Sequence, residues 1–171
     1  KEEAHHVGCE FVRGLAHVKK IPCDIAVSTN GGFPLDQNIY QAVKGMTAAE
    51  ATNKEGGVII MVAGSREGHG CSGFYHNLAD YKEPKDFLEK AINTPRLETV
   101  PDQWTAQILA RILVHHHVIF VSDLVDPTLI TDMHMEIAKT FDEALARAFE
   151  IEGQDAKVTV IRDGLSVIVE D

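Results

Sequence analysis

The sequence predicts an α/β fold, a three-layer α/β sandwich around a mostly parallel sheet that ends in a C-terminal β-hairpin. Three observations carry that expectation. Short apolar runs at 24–27, 57–63 and 118–121 suit strands buried on both faces, as in a parallel sheet. Stretches with helical spacing separate them and are long enough for crossover connections. Finally, Arg162-Asp163-Gly164 lies between two β-rich segments, 157–161 and 166–169, as a turn signal for a hairpin.

The elements follow in chain order. Val7, Phe11, Leu15 and Val18 recur at helical spacing, so an opening helix spans 2–18, softened by Gly8 and Gly14 and ended by Ile21-Pro22. After the first strand, Gly31 and Gly32 allow a sharp turn and Pro34 keeps Phe33 out of helical geometry. A helix is then predicted to start at Asp36 as N-cap, with Ile39, Val43 and Met46 facing the sheet and Gln37, Gln41 and Lys44 facing away. Thr47-Ala48-Ala49-Glu50 reads as a capping box for a second short helix ending near Gly56.

Beyond the strand at 57–63, the glycine loop 64–70 leads into a helix over 72–79, and a further helix over 83–92 carries Pro84 in its first turn. Pro101-Asp102 opens a helix that places Trp104 at the edge of the apolar sector of Ile108, Leu109 and Ile112. Asp126-Pro127 caps a helix in which Leu129, Ile130, Met133 and Ile137 turn inward, and Thr140-Phe141-Asp142-Glu143 is a capping box for a helix to about Ile151. No repeat, low-complexity tract or linker interrupts the chain, so residues 1–171 read as a single domain.

Composition narrows the function classes. A chain of 171 residues with 44% hydrophobic residues can bury a substantial core. Its formal net charge of -10, from 26 acidic and 16 basic residues, argues against nucleic acid or an anionic membrane as partner. No apolar run has the length of a membrane span, and residues 1–6 are not a signal peptide. Cys9, Cys23 and Cys71 are odd in number and widely spaced, which points away from a disulfide framework and toward a reducing cytoplasm. The chain begins at Lys1 without Met, which suggests a fragment or a trimmed chain, although Met removal or a cloning artefact gives the same start.

The richest stretch for chemistry is 30–44. A strand-to-helix loop in an open α/β sheet lies beyond the carboxyl end of its strand, where such sheets bind ligands. Gln41 and Lys44, three residues apart on one helix, can reach one anion together, although a solvated helix face explains the same pattern. In the glycine loop, Arg66 and His69 could orient a ligand or a group that touches it, or bond only local backbone. The loop matches neither the dinucleotide nor the Walker pattern. His115-His116-His117 could be taken for a metal site, but consecutive residues point in different directions and rarely converge on one ion. His5 and His6 read as surface residues. No nucleophile motif surrounds Ser65 or Cys71, and no metal site is expected.

The run Asn30-Gly31-Gly32-Phe33-Pro34-Leu35-Asp36-Gln37-Asn38-Ile39-Tyr40-Gln41-Ala42-Val43-Lys44 resembles the signature of the C-terminal domain of the nickel-dependent lactate racemase family. Ala4-His5-His6-Val7-Gly8, Arg66-Glu67-Gly68-His69-Gly70 and Asp163-Gly164 agree in order and spacing, so the resemblance covers nearly the whole chain. It implies a racemase or epimerase acting on a short 2-hydroxy acid, with a nickel pincer nucleotide and the catalytic histidines in an N-terminal domain absent here. This chain would then be the cleft-closing domain, hold no catalytic residue or cofactor of its own, and be inactive alone. It would contribute Gln41, Lys44 and Trp104 to substrate binding, the last across a shorter motif than the family's. A stand-alone organic-anion binding or regulatory module using the same corner is the alternative, and a histidine-based metal carrier a third reading.

Overall fold

The computed structural model describes residues 1–171. Its helices are α1 (Glu2–Ala16), α2 (Ile39–Thr52), α3 (Ser72–Ala79), α4 (Pro84–Asn93), α5 (Gln103–His115), α6 (Pro127–Asp132) and α7 (Phe141–Glu152). Its strands are β1 (His17–Lys19), β2 (Cys23–Thr29), β3 (Asn53–Val62), β4 (His117–Val121), β5 (Glu136–Ala138), β6 (Val158–Ile161) and β7 (Ile168–Glu170). Five strands form one all-parallel sheet in the order β5-β4-β3-β2-β6, and β1 pairs with β7, also in parallel, as a separate ribbon.

Alternation along the central strands gives the sheet two apolar faces. Ala26, Ile59, Met61, Val118 and Phe120 join the side chains of α2 to α6 in the larger core. Ile25, Val27, Val58, Ile60, Ile119 and Val121 meet Ala144 and Ala148 of α7 on the other face. Small alanines let α7 lie close to the branched strand residues. The result is the expected helix–sheet–helix layering.

The C-terminal hairpin is not formed. β6 arrives from α7 and runs parallel to β2 on its free edge, from Ile25↔Val158 to Ser28↔Ile161, while β7 goes to β1. The edge of β2 would otherwise present unpaired backbone groups, and a strand delivered by a crossover helix satisfies them by running parallel. The turn residues serve another contact: Gly164 N–H donates to the Thr29 carbonyl at 2.8 Å, and Asp163 bridges Asn30.

Three boundaries also differ from expectation. α2 is one helix through Thr52, because the Thr47 hydroxyl donates back to the Lys44 carbonyl at 2.7 Å instead of capping a new start. α6 stops at Asp132; His134 takes a left-handed conformation (φ 65°), and the chain re-enters the sheet as β5, so Ile137 lies on a strand and not on the helix. α1 is unbroken through Gly8 and Gly14, and none of its residues is buried. No helix is long and apolar enough to cross a membrane.

Candidate functional site

Because the five strands are parallel, the loops after β2, β3, β4 and β6 all emerge at one end of the sheet. The first two are knitted together. Asn30 is buried, and its amide donates to the carbonyls of Leu35 (2.9 Å) and Gln41 (2.6 Å), which folds the 31–37 loop onto the first turn of α2. The helix starts two residues later than expected, at Asn38, whose side chain accepts from Gln41 N–H at 3.0 Å. Asp36 is freed from capping and accepts from Gly64 N–H at 2.8 Å. Backbone bonds from Ser65 to Asp36, Glu67 to Gln37 and Ile39 to Gly68 complete the seam.

The seam fixes the side chains that the sequence singles out. Gln41 and Lys44 lie three residues apart on α2, half-buried beside the fully buried Ala42, Val43, Gly45 and Met46. Only their backbone groups are engaged within the chain: Gln41 through Asn30 and Asn38, Lys44 through Thr47. Tyr40, one turn before Lys44, meets Trp104 edge-on, with ring centroids 6.0 Å apart at 88°, and meets the buried Phe74 at 5.5 Å. Trp104 is 51% exposed, so its indole is open to solvent at this corner; Phe33, in the loop before α2, is 60% exposed.

The strand-end depression itself, about 350 Å³, has other walls: Thr29, Gly32, Asp36, Gly64, Ser122, Asp123 and Lys139 are among them. Gln41, Lys44 and Trp104 are not. Helical periodicity explains this, since the face of α2 that rests on the sheet is Ile39, Val43 and Met46, and the amide and ammonium fall on its outer flank. A ligand corner at the strand ends would bring Gln41, Lys44 and Trp104 into that hollow; Gln41 and Lys44 lie instead on the outer flank of α2, beside Tyr40.

Arg66 and His69 are held by protein contacts. The Arg66 guanidinium lies 4.7 Å from the Phe33 ring centroid, a cation–π contact joining the two loops. His69 stacks on Tyr75 at 5.2 Å, with its Nδ1 buried and unpartnered, and Tyr75 donates to Asp132 at 2.5 Å. That bond raises the Tyr75 pKa, since losing the proton would place a phenolate against a carboxylate.

The three consecutive histidines diverge. His115 contacts Glu55 at 2.6 Å, His117 contacts Glu136 at 2.8 Å, and His116 is buried with Nδ1 unpartnered. Burial lowers the His116 pKa, although Glu50 and Glu55 pull the other way. Nowhere do three His, Cys, Asp or Glu side chains gather so as to hold a metal ion.

Sequence reasoning missed Asp102. It reads as an N-cap after Pro101, yet its carboxylate accepts from the Tyr40 hydroxyl (3.3 Å) and the Cys71 thiol (2.8 Å) and caps nothing. Only its left-handed backbone, invisible in composition or periodicity, separates the two uses.

The class of protein this defines is a parallel α/β domain, with two loops knitted together at its strand ends and a helix introduced by them. The chain belongs to the lactate racemase C-terminal domain family, whose sequence model matches residues 18–169. It is 77% identical over 168 residues to lactate racemase of Lactiplantibacillus plantarum, covering 98% of this chain and 40% of that protein. To lactate racemase of Thermoanaerobacterium thermosaccharolyticum it is 52% identical over 170 residues, covering 99% of this chain and 40% of the relative. The solved apoprotein structure of lactate racemase from that organism superimposes with a TM-score of 0.95, over 99% of this chain and 41% of that one. The chain thus spans about two fifths of the length of the curated relatives it matches.

Proposed function

We propose that residues 1–171 form the C-terminal, cleft-closing domain of a racemase or epimerase for a short 2-hydroxy acid of the lactate type, and that this domain binds and orients substrate. The carrying observation is Lys44, whose ammonium has no counterion within the chain, on the outer flank of α2 one helical turn from the Tyr40–Trp104 pair. A cation without a partner is free to pair with an incoming anion, and a 2-hydroxy carboxylate supplies one. Gln41, on the same flank, adds a hydrogen bond to the carboxylate or hydroxyl. The indole of Trp104 excludes water from one side and strengthens both contacts. Held at these points, the substrate presents C2 in a fixed orientation, which is the positioning component of catalysis.

The nickel pincer nucleotide that the family resemblance implies finds no donor set here, because no His, Cys, Asp and Glu side chains gather to bind a metal. In this reading the cofactor and the catalytic acid and base belong to the rest of the longer protein, which is also this domain's partner. Three unpaired cysteines fit a cytoplasmic setting.

The test uses the full-length protein. Lys44→Ala should lower kcat/KM for lactate by a charge-assisted contact, about 1.5 to 3 kcal/mol or roughly 10- to 150-fold, and Gln41→Ala by less. Nickel and cofactor content should be unchanged in both. Full activity in Lys44→Ala, or racemisation by residues 1–171 alone, would overturn the proposal.

A further inference from the structure

An aspartate directly before a helix ordinarily accepts from the N–H groups of the first turn. Asp102 does not. Its backbone sits at φ 62°, ψ 6°, a conformation that a residue with a β-carbon enters at a cost, and its side chain makes no cap bond. Both carboxylate oxygens are turned to other segments: one accepts from the Tyr40 hydroxyl at the start of α2, the other from the Cys71 thiol just ahead of α3. Two residues further on, Trp104 closes the circuit by meeting the edge of the Tyr40 ring. Phe74, wholly buried, also meets that ring, with centroids 5.5 Å apart.

We infer that Asp102 is a positioning residue. By holding the Tyr40 hydroxyl it fixes the ring against which Trp104 rests, and so sets the half-exposed indole against the first turn of α2, the helix that carries Gln41 and Lys44. Cys71 adds the loop after β3 to the same anchor, so three chain segments keep one geometry. This inference rests on the reading of Gln41, Lys44 and Trp104 as substrate contacts. Its structural half can be measured independently of that reading.

Trp104 is the only tryptophan among the 171 residues, so one indole N–H resonance reports its surroundings in this chain. Three variants separate positioning from folding. Asp102→Gly suits the left-handed backbone while deleting both acceptors. Tyr40→Phe keeps the ring and removes only the hydroxyl. The double variant tests whether the two act through one bond. Each single change is expected to shift and broaden the indole resonance, with circular dichroism unchanged, and the double variant to go no further than the larger single.

In full-length protein the same changes should each lower kcat/KM for lactate by roughly tenfold at unchanged cofactor content, again non-additively, with Asp102→Asn partly restored. An unmoved indole resonance in a folded Asp102→Gly chain, or additive effects in the double variant, would overturn the inference. If Asp102→Gly fails to fold, Tyr40→Phe decides alone, and an unmoved indole there overturns it equally. Were the indole to move while racemisation stayed intact, the positioning would stand and the assignment of Trp104 to the substrate site would fall.

Discussion

Gly164 and Gly45 show how much of this corner depends on absent side chains. A β-carbon on Gly164 would collide with the Ser28 hydroxyl and stand 2.7 Å from the Gly45 carbonyl, and one on Gly45 would collide with the Asn30 amide oxygen. All of these are buried or backbone atoms with no room to retreat. Gly164→Ala should therefore destabilise by overpacking, about 1 to 3 kcal/mol in urea unfolding, although alanine normally favours the folded state over glycine. A loss under about 0.5 kcal/mol would show that the loop after β6 yields easily. His116 is the other single residue with a measurable signature. Burial holds its folded pKa below the ordinary 6.5, so as pH falls through that value the unfolded chain takes up a proton that the folded chain refuses. Stability from this group is complete above the unfolded pKa and falls on acidification until the lower, folded pKa is passed. Urea unfolding at pH 7.5 and 5.5 should show that decline, and His116→Gln should reduce it; an identical slope in the variant would place the effect elsewhere.

At the scale of elements, α2 was legible in its periodicity but not in its start. Asp36 and Asn38 are both good caps, and the choice between them was made by tertiary structure: Gly64 N–H, from the neighbouring strand end, takes the Asp36 carboxylate and leaves Asn38 to the helix. Asn38→Ala should cost about 1 kcal/mol as a lost cap, and Asp36→Ala should loosen the 64–70 loop without shortening α2; amide exchange at Gly64 and Gln41 distinguishes the two. The capping box of α7 formed as read, because Thr140 and Glu143 satisfy each other locally. β5 and the pairing of β6 and β7 were not legible for the opposite reason: three- or four-residue strands carry little periodicity, and the partners of β6 and β7, β2 and β1, are distant in sequence. The same contrast holds for the candidate site. The run around Gln41 and Lys44 stood out by local pattern, whereas Asp102 depends on contacts to residues 31 and 62 positions away.

For the whole molecule, the sheet and its two helical layers contrast with α1. Every buried side chain lies at or beyond Cys23, and the family match itself begins at residue 18, after α1 has ended. Val7, Phe11 and Leu15 form an apolar stripe that is 64%, 69% and 74% exposed, so α1 gains almost nothing from the core that stabilises the rest. Its ties to the body are side-chain contacts at the surface, such as Arg13 to Glu170 at 3.4 Å, of a kind worth about 0 to 1 kcal/mol. A fifteen-residue helix without tertiary packing is marginal in water. Deleting residues 1–16 should accordingly remove helical circular dichroism in proportion to α1 while leaving the melting temperature within about 2 °C, since β1 and its pairing with β7 are retained. In the intact chain, amides of α1 should exchange far faster than those of β3 and β4. A drop of about 10 °C on deletion would mean that the helix supports the sheet after all, at a contact the exposed stripe does not reveal.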